Sequence, residues 1–241
     1  MTEFILAILL PLLATANAQA APPTPDMTTI PLKSRGWGFS VSTIVNEATE
    51  AELVIDSGAS YTIISTRLAR ALGINWQAGA PRYPINTAGG VVWVRLVTIG
   101  SLQAGGARAQ RVEAAVADLP SFRGADGLLG KSFLDRYSYT INSQSATMIL
   151  APHKTGPLFG GRGEGWWRSQ AQKLRRQASL FRAMELGAEN SVYTGDASPW
   201  LLKQKFSRQD ASRLAVYLKG LLEELEKEAA QLGAPEQWLA P

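Results

Sequence analysis

The run Leu53-Val54-Ile55-Asp56-Ser57-Gly58-Ala59-Ser60 occurs once in the 241-residue chain and ends a stretch of strand-forming aliphatics in a carboxylate followed by small residues. That order suits a reactive acid. A buried strand fixes the direction of the Asp56 side chain, and the small residues after it allow a tight turn and the close approach of other backbone. A carboxylate so placed is a candidate general acid or base. The simpler reading is a strand that ends in an Asx-type turn, a common device in β proteins.

The other reactive side chains narrow the chemistry further. There are no cysteines, so disulfides, thiolate nucleophiles and zinc–thiolate sites are excluded. His153 is the one histidine, which rules out a two-histidine metal site within a chain. A Ser-His-Asp triad would have to use that residue, in a Pro-flanked connector. A catalyst built from carboxylates alone needs none of these groups, and no metal or cofactor is expected.

The elements that must hold Asp56 are short. Thr28–Leu32, Gly38–Ile44, Glu52–Asp56 and Tyr61–Ser65 read as strands, and a brief helix from Ser65 to Leu72 is stopped by Gly73. Val91–Ile99, Ala109–Ala117, Tyr137–Asn142 and Ala146–Leu150 supply further strands. Strands this short and closely spaced predict a closed or strongly curved β-barrel. Beyond Pro152 the pattern becomes helical. Trp167, Ala171, Leu174, Ala178 and Phe181 form one apolar seam, flanked by Arg168, Lys173, Arg175, Arg176 and Arg182. A capping-box-like start at Ser207–Asp210 opens a second seam of Ala211, Leu214, Leu218, Leu221 and Leu225, which ends among Glu223, Glu224, Glu226 and Glu228. A basic helix and an acidic-ended helix with one seam each predict an antiparallel hairpin separable from the β-domain, with packing against the barrel or a second subunit as the other use of the seams.

Three motifs in order resemble the retropepsin-like (retroviral-type) aspartic proteases, in the small exported bacterial branch. The first is the Asp56–Ser60 loop. The second is Asn86-Thr87-Ala88-Gly89-Gly90 with Val91-Val92-Trp93-Val94, which looks like the family's flap hairpin. The third is Asp126-Gly127-Leu128-Leu129-Gly130, similar to the hydrophobic-hydrophobic-Gly element that passes beside the catalytic loop. The resemblance spans roughly Thr28 to Leu150 and implies a mainly β, closed acid-protease barrel there; it says nothing about the rest, where the C-terminal α-helical hairpin is read from its own periodicity. It implies Asp56 as the catalytic carboxylate, with Ser57, Gly58, Ala59 and Ser60 supporting its loop. Thr87, Ala88, Gly89 and Gly90 would be the substrate-covering flap, and Leu128, Leu129 and Gly130 the structural element beside the active site. Each piece also has a plainer use: Gly89-Gly90 as a hairpin turn, Leu128-Leu129 as core, and Trp93 and Trp166-Trp167 as packing.

Aspartic proteolysis needs two carboxylates facing one water. The chain has one Asp-Ser-Gly. Asp126-Gly127 is not a second copy, since Leu-Leu-Gly follows it rather than Ser or Thr. The expectation is therefore an aspartic endopeptidase whose site is shared between two chains of a homodimer, acting on a peptide or protein substrate. Its rival is a non-catalytic binding or scaffold protein of the cell envelope that keeps the fold and works through its helices. A third reading, binding of nucleic acid or an envelope surface by the basic helix, finds no Lys/Arg block in a chain of net charge +4, and no nucleic-acid partner is expected.

Residues 1–20 read as an export signal, with an apolar run from Phe4 to Leu13 and Ala-x-Ala sites around Ala18, although Glu3 replaces the usual basic n-region. Residues 21–27 form a Pro-rich linker, 28–152 the β-barrel, 153–165 a linker, and 166–241 the helical extension. A periplasmic or secreted location follows, with anchoring by an uncleaved signal as the alternative. That segment is short and interrupted by Pro11, so no stable membrane span is expected beyond it.

Overall fold

The computed structural model describes residues 27–77, 81–87, 89–122, 124–153, 156–187 and 206–240. The segment read as an export signal, nearly all of the Pro-rich linker, Ala88 and residues 188–205 lie outside them. Eleven strands are described: β1 (Thr28–Pro31), β2 (Lys33–Ser34), β3 (Phe39–Val45), β4 (Thr49–Ile55), β5 (Thr62–Ile64), β6 (Arg82–Thr87), β7 (Gly90–Ala104), β8 (Ala107–Val116), β9 (Gly127–Leu129), β10 (Tyr137–Asn142) and β11 (Thr147–Pro152). Helices α1 (Thr66–Ala71) and α2 (Lys131–Leu134) are brief, whereas α3 (Glu164–Leu186) and α4 (Arg208–Leu232) are long.

Closure of the sheet follows from its pairing. Strands run in the order β2-β3-β4-β9-β5-β8-β7-β6, and β3 also pairs with β7. The circuit β3-β4-β9-β5-β8-β7 is thus a closed six-stranded barrel, with β2 and β6 attached outside it. A separate three-stranded sheet, β1-β11-β10, packs Ile30, Met148 and Leu150 into the same core as the barrel strands. The fold is mainly β, the closed barrel that the motifs imply, followed by the C-terminal helices that the periodicity beyond Pro152 predicts.

Side-chain alternation sorts the strands' residues into two cores. Val41, Val45, Leu53, Ile64, Leu102, Leu129, Phe133 and Met148 fill the barrel. Val54, Tyr61, Ile63, Leu96, Ala115 and Leu128 point to the other face of the same strands. Along β7 and β8 the inward residues change parity, from Ile99 to Leu102 and from Ala109 to Val112. The change falls at Arg111, whose backbone is left-handed at φ 49°. One such residue turns both strands over and lets the β6–β7 hairpin project from the barrel.

The caps form as the sequence predicts. Ser65 Oγ accepts the Leu68 amide at the start of α1, and Ser207 Oγ accepts the Asp210 amide at the start of α4. Gly187 and Gly233 end α3 and α4 in left-handed conformation. The two long helices are antiparallel. Arg162, just before α3, pairs with Glu228 near the end of α4, and Phe181 near the end of α3 meets Phe206 just before α4. Arg175 pairs with Glu226, which joins the basic helix to the acidic one as expected.

The hairpin is not a detached unit. Trp167, Ala171, Leu174, Leu180, Phe181, Leu214 and Leu218 share one continuous core with Val54, Tyr61, Ile63, Tyr83, Val94, Leu96, Ala115 and Leu128 of the barrel. The seams therefore serve both uses open to them, helix against helix and helix against barrel. Each helix carries more apolar surface than the seam between the two helices covers, and the second core of the barrel meets the remainder.

Candidate active site

Two hydrogen bonds hold the Asp56 loop at its ends. The Asp56 amide donates to the Leu129 carbonyl at 3.0 Å, and the Lys131 amide donates to the Ala59 carbonyl at 2.8 Å. The Leu128–Gly130 element thus clamps the loop from both sides. Parallel pairing of β4 with β9 places Leu53 beside Gly127 and Ile55 beside Leu129. Within the loop, the Gly58 and Ala59 amides donate to Asp56 Oδ1 at 2.9 and 3.2 Å. These bonds fix one carboxylate oxygen and leave the side chain partly open. Ser57, Gly58 and Ser60 are exposed, and Ala59 is half-buried.

Gly130 is explained by close approach. A Cβ there would stand 2.2 Å from the Tyr61 carbonyl oxygen and 2.9 Å from that of Ala59. A Cβ on Gly127 would meet the Ile63 carbonyl oxygen at 1.9 Å. The two glycines let the chain that leaves the loop run hard against β9, its antiparallel neighbour in the sheet. Thr62 and Ser132 secure the contact: the Thr62 amide donates to Ser132 Oγ at 2.8 Å, and the Gly130 amide to Thr62 Oγ1 at 3.3 Å. Sequence reasoning missed this buried hydroxyl pair. Its signal was two hydroxyl residues, each a few positions past a candidate site motif, in otherwise apolar surroundings.

Asp126 has a structural task. Its carboxylate accepts the Glu52 amide and an Arg67 guanidinium, and its own amide donates to the Glu52 carbonyl. It lies beside Glu52 just as Gly130 lies beside Asp56, so the two aspartates are separated by about 13 Å along the strands. They cannot share a water. His153 is equally remote from triad chemistry. Its Nδ1 meets Ser138 Oγ at 3.3 Å, but Nε2 faces the Asp135 backbone carbonyl, not a carboxylate.

The flap motif forms the end of the β6–β7 hairpin. Thr87 Oγ1 donates to the Gly90 carbonyl at 2.7 Å and accepts the Gly89 amide at 3.2 Å, closing the tip. Gly89 and Gly90 are exposed, and Gly90 is left-handed at φ 108°, where a side chain would be strained. Strand β6, which sequence reasoning also missed, pairs Tyr83 with Val94 and Ile85 with Val92. These four residues face one way, toward the core that contains Val54, Ile63 and Leu128, against which Ala59 also packs. The structure therefore brings the loop and the Leu128–Gly130 element into direct contact and joins the flap's body to them through shared packing. Burial pushes the Tyr61 and Tyr83 hydroxyls well above the ordinary phenol range, so both remain neutral.

Among the described residues, no group of three or more acidic or histidine side chains could hold a metal ion. No described helix is long and apolar enough to cross a membrane.

Residues 41–136 match the family model described as "gag-polyprotein putative aspartyl protease". The matched residues run from β3 to just past α2, so this part of the barrel is similar to the retropepsin-like aspartic proteases. Among solved structures, a retropepsin-like aspartic protease from Rickettsia conorii is 22% identical, over 52% of this chain and 89% of that one, with a TM-score of 0.40. No curated protein matches the chain.

Proposed function

We propose that the protein is an aspartic endopeptidase in which two copies of the chain each contribute Asp56 to one active site. The observation that carries this reading is the loop itself. Asp56 is clamped by Leu129 and Lys131, one of its oxygens is fixed by two backbone amides, and Asp126, the other Asp-Gly of the motifs, is bound to Glu52 and Arg67 instead. A lone carboxylate in so specific a setting is half of a pair.

In the dimer, one Asp56 would accept a proton from a water held between the two. The other, protonated, would polarise the scissile carbonyl; carboxylates that close hold one proton between them. The Gly58 and Ala59 amides orient one oxygen of each and leave the other for the water. The substrate would lie extended, with the β6–β7 hairpin as roof and the strands on either side of Asp56 as floor. Thr87–Gly90 would close over it and open for release. A periplasmic or secreted location, through the N-terminal segment, belongs to the same proposal.

The test is cleavage of a casein-type substrate by the purified protein and by Asp56→Asn, which keeps the shape and removes the proton chemistry. Loss of turnover to background in a folded variant is expected. Equal rates for the two proteins would refute the assignment.

A further inference from the structure

A substrate that lies between the β6–β7 hairpin and the strands around Asp56 must reach the apolar face made by Tyr83, Val94, Tyr61, Ile63 and Leu128. In this structure that face is already covered. Tyr61 and Tyr83 are 6% and 5% exposed, although one stands five residues from Asp56 and the other at the base of the flap. Their rings meet edge to face at 6.2 Å.

What covers them is a single stripe of α3. Lys173, Gln177 and Phe181 recur every fourth residue and so share one side of the helix. Lys173 Nζ sits 4.1 Å from the centroid of the Tyr61 ring and 3.7 Å from Glu113 on β8. Gln177 Nε2 donates to the Tyr83 hydroxyl at 2.6 Å. The Phe181 ring packs against Tyr83 with centroids 6.2 Å apart. Phe206 extends the contact, touching both Phe181 and Trp93 of the flap strand at 5.2 and 5.3 Å. On α4, the Tyr217 hydroxyl donates to the Leu96 carbonyl of β7 at 3.3 Å. The contacts thus grip the flap base and the strand leaving the catalytic loop together. Their rim is ionic, with Arg111 of β8 paired to Glu224 and Glu228.

We propose that the C-terminal hairpin is an intramolecular occluder of the substrate cleft: the face that would receive an extended apolar peptide is held by Lys173, Gln177, Phe181 and Phe206 until the hairpin is displaced. This rests on the cleft assigned above. Peptide and hairpin compete for one surface, so anything that weakens docking raises the fraction of molecules able to bind peptide. The mixed character of the contact, aromatic at its centre and ionic at its rim, suits a surface that must both close and release.

The experiment uses the full-length chain. Two variants loosen the hairpin. Phe181→Ala removes the central ring, and Lys173→Glu sets a like charge against Glu113 without touching the seam between the helices. A third form locks it: Glu113→Cys/Lys173→Cys, the only thiols in an otherwise cysteine-free chain, joined by a short bis-maleimide, with the N-ethylmaleimide-blocked protein as control. All are made on the Asp56→Asn background, and binding of a fluorescein-labelled extended apolar octapeptide is read by anisotropy. The loosened forms should bind about tenfold or more tightly than the parent, and the locked form should not bind measurably. Equal binding by loosened, parent and locked proteins, or no binding by any, overturns the occlusion. Cleavage by the same variants with Asp56 restored separates the two proposals. Turnover that depends on Asp56 but is indifferent to loosening and locking refutes only the occluder. Peptide binding that follows the hairpin, with no turnover in any form, supports the occluder and refutes the peptidase.

Discussion

Replacing Gly130 by alanine should damage both the fold and the site, by an amount the geometry sets. The new methyl would stand 2.2 Å from the Tyr61 carbonyl oxygen and 2.5 Å from its carbon, where ordinary contact begins near 3.4 Å. Both neighbours are backbone, so relief requires the strand leaving the catalytic loop to move by about 1 Å. That shift stretches the bond from the Lys131 amide to Ala59 and the Thr62–Ser132 pair, each worth about 1 kcal/mol net. Overpacking adds about 1–3 kcal/mol, for a total near 3–5 kcal/mol. In urea, with a slope of about 2.5 kcal/mol per molar, the unfolding midpoint should fall by about 1.5 M. Gly89→Ala is the control. Its methyl would meet only Thr87 Oγ1 at 3.7 Å, so it should shift stability by less than about 0.5 kcal/mol. A Gly130→Ala protein that unfolds at the same midpoint as Gly89→Ala would refute the claim that close backbone approach dictates glycine at this position.

Three further outcomes are expected. Hydrogen bonds from Lys33, Ser40 and Arg35 hold the Glu52 carboxyl at about 2, below its unfolded value, so its contribution is present above about pH 4.3 and lost as pH falls toward 2. Glu52→Gln should therefore lower stability by about 1–2 kcal/mol at pH 6, after allowance for solvent screening, and by only about 0.4 kcal/mol or less near pH 2; a full-sized gap that persists at pH 2 would show another cause. Ser207→Ala removes the acceptor for the Asp210 amide and should cost about 1 kcal/mol in urea unfolding, with Ser207→Asn restoring it. Specific activity should fall on dilution below the dimer dissociation constant, checked against sedimentation; a monomer with full activity would mean that the second carboxylate comes from the same chain.

Local chemistry was legible in the residues themselves. Ser65 and Ser207 cap the helices they precede, and Tyr137–Asn142 is the strand its alternation predicts, because caps and strand faces depend on neighbours a few positions away. The order aliphatic-aliphatic-Asp-Ser-Gly likewise marked the loop, since small residues after a strand permit few other geometries. The reasons behind the rest lie in contacts between distant segments. That Gly127 and Gly130 must be glycine follows from the backbone of Ile63 and Tyr61 pressing against them, some 65 positions earlier in the chain. Closure by β3 on β7, and the turning-over of β7 and β8 at Arg111, arise only when the sheet curls round on itself. The apolar seams of α3 and α4 announced a hairpin but not its bearing surface. A stripe of Lys173, Gln177 and Phe181 is unremarkable on a helix, and periodicity carries no address for what it faces. Only the folded chain sets it against Tyr61 and Tyr83, because a hydrophobic contact is non-directional and its partner is chosen by the shape of everything else.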